Sequence, residues 1–157
     1  MWRFVEENGH DRITLHDCLS DDIRVEGDDL IVNFPDGFWV LPYCGYHDDD
    51  LALKTGPAQL VFKNFDVYPI DLFYTARLFR RSVLCRRVRV ELPQLLKKVN
   101  DGKHALEFLW DYHRPGNSLY QCWLRKKNYS QVAECQFEIQ TTAIEYRWNE
   151  ILPERKW

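Results

Sequence analysis

LHDCLSDDIRVEGDDLIVNFPDGFWV, residues Leu15 to Val40, is the stretch whose reading decides the fold. Ile23 and Val25 share one face of a short strand, and Glu26-Gly27-Asp28-Asp29 supplies a turn. Leu30, Val32 and Phe34 then alternate with Ile31 and Asn33, the period-two pattern of a strand. Pro35-Asp36-Gly37 makes the next turn, because proline presets φ and glycine accepts positive φ. Phe38 to Leu41 returns as a third, antiparallel strand. Three short strands joined by tight turns form a meander.

The rest of the chain reads the same way. Trp2 to Glu6 forms a first strand, closed by the turn Asn8-Gly9-His10-Asp11, and Arg12 to His16 continues into a second. Tyr43 to Thr55 is a loop with the acidic run Asp48-Asp49-Asp50, which lacks the alternating ligand spacing and central glycine of a calcium loop. Leu60 to Phe65 is a strand. Phe73 to Phe79 is dense in apolar residues without a clear period, and Ser82 to Val90 is a strand. In Glu91 to Val99, the residues Leu92, Leu95, Leu96 and Val99 recur at helical spacing, with Pro93 in the first turn and Asn100-Asp101-Gly102 as the stop. Ala105 to Tyr112 and Leu119 to Leu124 pair across a turn at His113 to Asn117, and Val132 to Ile139 and Thr142 to Trp148 follow as strands. The pattern predicts one β-rich domain over residues 1–157. It is an antiparallel sandwich or strongly bent sheet with one or two short helices, with α+β as the alternative.

Composition narrows the function classes. The chain has 157 residues, is 45% hydrophobic and 15% aromatic, and carries a formal net charge of −3. These are values of a globular domain, and they disfavour a general nucleic-acid binder. No stretch approaches the ~18 apolar residues of a membrane span, and no secretory leader is read at the start. The expectation is a cytoplasmic location without membrane association. Five scattered cysteines, at 18, 44, 85, 122 and 135, argue against a disulfide framework. Cys85, Cys122 and Cys135 lie among strand-like residues and are read as buried free thiols.

Two groups of residues carry chemical interest. His16 and Cys18 are two apart, and in a strand they would point the same way. Cys44 and His47 sit in the loop. Together the four would make a Cys2His2 zinc site, with His10 or Asp48 as a substitute ligand, although the spacing departs from structural zinc patterns. The competing reading makes Cys18 a small buried apolar side chain, with His16 or Asp17 hydrogen-bonded to backbone at the entry of the meander. A thiol nucleophile assisted by His16 or His47 needs contact, an orienting group and an oxyanion site, none of which adjacency supplies.

The second group is cationic. Arg77, Arg80, Arg81, Arg86, Arg87 and Arg89 occur without an intervening acidic residue. Guanidinium forks suit phosphate or carboxylate partners. In a strand Arg87 and Arg89 face together while Arg86 faces away, which splits the cluster. Trp39, Trp110, Tyr112, Tyr120 and Trp123 offer aromatic area for a partner, a sugar or a core. Neither GxGxxG nor GxxxxGK occurs, and no spacing singles out a carboxylate pair.

The reading therefore favours a non-enzymatic protein-interaction module, of a bacterial regulatory or immunity type, with no cofactor. Its expected partner surface comprises Arg77, Arg80, Arg81, Arg87, Arg89, Trp39 and Trp110. The alternatives are a small zinc-binding or thiol-dependent enzyme, or a domain that binds acidic ligands or nucleic acid.

Overall fold

The computed structural model describes residues 1–78, 82–126, 128 and 130–157, with residues 76–78 and 82–84 described by backbone path. In chain order the first strands are β1 (Phe4–Glu7), β2 (Ile13–Thr14), β3 (Cys18–Ser20), β4 (Asp22–Glu26), β5 (Asp29–Phe34), β6 (Trp39–Val40), β7 (Leu53–Thr55) and β8 (Ala58–Lys63). There follow β9 (Asp66–Val67), β10 (Ile70–Leu78), β11 (Ser82–Val90) and the helix α1 (Leu92–Val99). The chain closes with β12 (His104–Arg114), β13 (Asn117–Lys126), β14 (Gln131–Gln140), β15 (Ala143–Trp148) and β16 (Ile151–Lys156). Mainly antiparallel β-structure with one short helix is therefore the fold among the described residues.

The strands form three sheets, ordered β1-β15-β8-β5-β4, β11-β10-β14-β13-β12-β3 with β9 beside β14, and β16-β7-β6-β2. The first two pack face to face. Phe34 of β5 meets Phe108 of β12 edge-on at 5.3 Å, and Phe62 of β8 meets Tyr120 of β13 at 5.5 Å. The inward positions of the large sheet include a row running Val88, Leu72, Cys135, Cys122, Phe108, Cys18 from β11 to β3. Apolar burial of such rows is the main stabilising force between the layers.

Three expectations change. The hairpin of β4 and β5 forms as read, but the third strand of the meander does not join it. The neighbour of β5 is β8, and β6 leaves for the third sheet, where it pairs with β2 and β7. Gly37 explains the departure. It has φ of +73°, and a Cβ there would collide with the backbone of Thr55 and Gly56. That close approach brings Phe38 under β7, where its N–H donates to Thr55 Oγ1 at 3.0 Å. Second, the segment read without a clear period from Phe73 is strand β10 as far as Leu78, and Phe79 lies outside the described residues. Third, Cys85 is exposed rather than buried, whereas Cys122 and Cys135 are fully buried. Cys85 shares the outward face of β11 with Arg87 and Arg89.

The helix begins one residue after the predicted start. Glu91 is its N-cap, and the Glu91 N–H donates to Gln94 Oε1 at 2.8 Å. Leu95 and Val99 are buried, and Leu92, Leu95 and Leu96 close the end of the sandwich over Ile23, Ile70 and Leu106. At its C-terminus the Asn100 side chain accepts from Ile23 N at 3.0 Å and donates to Ile23 O at 2.7 Å, tying the helix to β4.

The two glycine turns make a testable contrast. Gly37→Ala is expected to cost about 2–4 kcal/mol, from the left-handed backbone and the collision together. Gly27→Ala, at φ of +62° with open space around it, is expected to cost only about 1 kcal/mol. Urea titration reads both as a lower midpoint at unchanged slope.

Candidate interaction face and its supporting turn

The site begins with a turn that periodicity does not reveal. Leu15 to Cys18 is closed by Cys18 N–H donating to Leu15 O at 2.9 Å, and Asp17 takes φ of +56°. A left-handed residue between them breaks strand alternation, so His16 and Cys18 do not share a face. Cys18 turns into the core, where it is 1% exposed. His16 turns toward β12. Its Nδ1–H donates to Leu109 O at 2.6 Å, and the Asp17 N–H donates to Phe108 O at 2.8 Å. A carbonyl only accepts, so the hydrogen sits on Nδ1.

Those two carbonyls flank a β-bulge. The pairing of β12 with β13 shifts between Phe108 and Trp110, leaving Leu109 as the extra residue. One extra residue reverses every later side chain of the strand. Leu106 and Phe108 face inward before the bulge, and Asp111 and His113 face inward after it. Trp110 and Tyr112 are thereby sent to the outer face, where they are 56% and 61% exposed. Tyr120, grouped with them by composition, faces inward and is fully buried.

The outer face can be followed strand by strand. One row runs Arg89, Asp71, Gln136, Gln121, Trp110, from β11 to β12. The next runs Arg87, Phe73, Glu134, Trp123, Glu107, Leu19, reaching β3. Beyond them Glu138, Leu119 and Tyr112 lie side by side. A cleft of about 420 Å³ opens there, lined by Tyr112, Leu119, Arg114 and Glu138 among others. At the β3 edge the aromatic area continues. His16 packs on Trp110 at 4.9 Å and on Trp157 at 5.4 Å, and Trp157 meets Trp39 at 5.8 Å.

The charges on this face are paired internally. Arg87 forks onto Asp71, and Arg89 reaches the same carboxylate at 3.4 Å. The hydrogen bonds of Arg87 hold the Asp71 carboxyl below its ordinary value. Arg114 binds Glu138 at 2.8 Å, and Arg125 pairs with Glu107 while its guanidinium lies 4.6 Å from the Trp123 ring. Glu107 is largely buried, and desolvation raises its pKa in spite of Arg125.

The sequence-predicted residues thus fall in different places. Trp39, Trp110, Arg87 and Arg89 lie along connected parts of this surface, with Trp39 half-buried. Arg86 faces the other way, opposite Tyr74. The side chain of Arg77, and Arg80 and Arg81 entirely, lie outside the described residues. Among the described residues no three His, Cys, Asp or Glu side chains are grouped to hold a metal ion. Instead His16 holds Leu109, and Cys18 receives Lys54 Nζ at 3.3 Å on its sulfur. His47 contacts Val40 O through Nε2 at 3.2 Å and accepts the Asp49 N–H on Nδ1. Cys44 packs against the core. Burial pushes the Cys18 thiol up to about 11 against the opposing pull of Lys54.

Trp157, Leu119 and the Leu109 bulge were not legible as parts of a site. Trp157 has no patterned neighbours, and a bulge leaves no mark in an apolar run such as Ala105 to Trp110. The chain matches no family model, no curated protein and no solved structure. The geometry alone therefore carries the functional argument.

Two measurements check this arrangement. At pH 7–8 a thiol reagent is expected to label Cys85 rapidly and Cys44 more slowly. Cys18, Cys122 and Cys135 should react only after denaturation, because burial keeps them protonated and out of reach. Prompt labelling of Cys18 in the folded protein would contradict the turn. His16→Ala is expected to lower stability by about 1–2 kcal/mol and to change the emission of Trp110, which loses its ring neighbour.

Proposed function

We propose that the chain is a protein-interaction module whose contact surface is the outer face of the large sheet around Trp110. The observation that carries this reading is the exposure of Trp110, Tyr112, Leu119 and Trp157, which are 56%, 61%, 39% and 56% exposed. Large side chains of this kind, gathered on one face and bordered by polar groups, are the usual anchors of protein interfaces. The partner is a protein presenting an apolar patch, as expected of a bacterial regulatory or immunity module acting in the cytoplasm. Five free thiols fit a reducing compartment.

Pairing of the charges supports the choice of a protein over nucleic acid. Arg114 and Arg125 each have a carboxylate on the same face, and Arg87 and Arg89 share that of Asp71. A phosphate backbone would have to displace those carboxylates, whereas an apolar patch leaves them in place as a polar rim.

The experiment compares the intact chain with Trp110→Ala and Tyr112→Ala in capture and titration of specific partners. Each variant is expected to weaken binding by about 2 kcal/mol or more, roughly 30-fold. Thermal stability should be nearly unchanged, because both side chains are exposed. Affinity should vary little between 50 and 300 mM salt. Binding that falls steeply with salt and ignores both substitutions would overturn the reading in favour of an acidic ligand or nucleic acid.

A further inference from the structure

A second site lies on the inward side of the same strand, beyond the bulge. A cleft of about 330 Å³ opens at the end of the β12–β13 hairpin, lined by Asn8, His10, His113, Ser118, Thr141 and Thr142 among others. Three of the side chains placed inward here form a hydrogen-bonded chain. His113 Nε2 lies 2.6 Å from Asp111 Oδ2, and His113 Nδ1 lies 2.8 Å from Ser118 Oγ.

The polarity of this chain follows from its chemistry. A carboxylate only accepts, so Nε2 of His113 carries the hydrogen and donates to Asp111. A neutral imidazole with its hydrogen on Nε2 has a lone pair on Nδ1. Ser118 therefore donates its hydroxyl hydrogen to that lone pair. The result is a hydroxyl in contact with a base, and the base in contact with an orienting carboxylate.

The imidazole is held from both sides. Tyr120 meets its edge at 5.8 Å and 82°, and the ring of His10 stacks on it at 4.2 Å and 17°. The ring nitrogens of His10 have no hydrogen-bond partner among the described residues, and His10 lines the cleft. Burial lowers its pKa, so it is a neutral donor near pH 7. Arg114 and Asn117 are already engaged by Glu138. His10 and the Asn8 amide, whose oxygen alone is engaged by Ile144 N–H, are thus the donors left on the lining to face a developing oxyanion.

We propose that Ser118, His113 and Asp111 form a nucleophilic site that cleaves small carboxylic esters admitted to this cleft. In the first half, Ser118 Oγ bonds to the ester carbonyl carbon, and its proton passes to His113 Nδ1. The bond from that carbon to the alkoxy oxygen breaks, and the proton on Nδ1 goes to the departing alkoxide, releasing an alcohol. In the second half, water adds to the acyl carbon, one of its protons passes to Nδ1, and the bond to Ser118 Oγ breaks as that oxygen takes the proton back. The products are an alcohol and a carboxylic acid, and nothing is oxidised or reduced. Asp111 is a positioning residue that holds the imidazole through its hydrogen bond with Nε2. Ser118 is 3% exposed and the cleft is small, which restricts the acyl group to a few carbons.

The test uses a fluorophosphonate probe and p-nitrophenyl acetate on the full chain. One adduct per chain is expected, mapped by mass spectrometry to Ser118, together with ester turnover. Ser118→Ala should abolish the adduct, and His113→Gln should reduce turnover by about 100-fold or more. Asp111→Asn should slow labelling by about 100-fold, and Asp111→Glu should restore part of that rate. Loss of packing alone would not be rescued by the longer carboxylate. If Ser118→Ala proves unstable, Ser118→Cys keeps a nucleophile of similar size. Alkylation of the introduced thiol should then depend on His113. No adduct on Ser118 in the folded protein, or equal turnover in the wild type and the variant, would overturn the proposal. Labelling and ester turnover are read on the chain alone, without a partner, so this site and the partner face fail or succeed separately.

Discussion

The hydrogen bond from His16 to Leu109 O is the contact on which both faces of the large sheet depend. Leu109 is an extra residue in β12, and extra residues persist where neighbouring groups satisfy the backbone they displace. The turn from Leu15 to Cys18 does this with two donors, the His16 ring and the Asp17 N–H. Because the bulge inverts the strand, the same contact decides that Trp110 and Tyr112 meet solvent. It also decides that Asp111 and His113 turn inward. A strand without the bulge would exchange the two sets, placing the aromatic side chains beneath the opposing sheet and Asp111 and His113 on the outer face.

Much of the architecture was legible because hydrophobic alternation is a local property. The β4–β5 hairpin, the helix over Leu92 to Val99 and the β12–β13 pair follow from residues that specify their own geometry. The route of β6 was not legible. Pro35-Asp36-Gly37 predicts a turn correctly, but which strand the chain meets afterwards depends on Gly37 packing against Thr55 and Gly56, about twenty residues on. His16 was misread for a related reason. Strand parity governs its direction only while φ stays negative, and the aspartate that follows takes the left-handed conformation without help from glycine.

The interior is polar for a sandwich core. The Tyr146 hydroxyl and Trp148 Nε1 are buried without a hydrogen-bond partner among the described residues, and the fully buried Tyr120 hydroxyl lies beside Ser118. Each such group costs on the order of 1–3 kcal/mol relative to a satisfied one. The aromatic contacts of Phe38 with Tyr146 and Trp148, and of Tyr120 with Phe108 and Phe137, offset part of that cost. Charge on the surface is arranged oppositely: among the described residues Arg114 and Arg125 each meet a carboxylate, and Arg87 and Arg89 share Asp71. The fold thus keeps some unsatisfied polarity inside and leaves Trp110, Tyr112 and Trp157 outside, although its apolar core is buried.

Asn100 shows how the five-stranded sheet ends at β4. Its amide takes both the N–H and the C=O of Ile23, as the backbone of one more strand would. An edge so occupied cannot template another chain at that position, so the helix terminus acts as a guard against self-association. The large sheet ends differently. Along its outer border β11 runs nine residues with no strand beyond it among the described residues, and arginines at 86, 87 and 89 are its deterrent. Neutralising them would turn that border into a place where two copies of the protein could zip together.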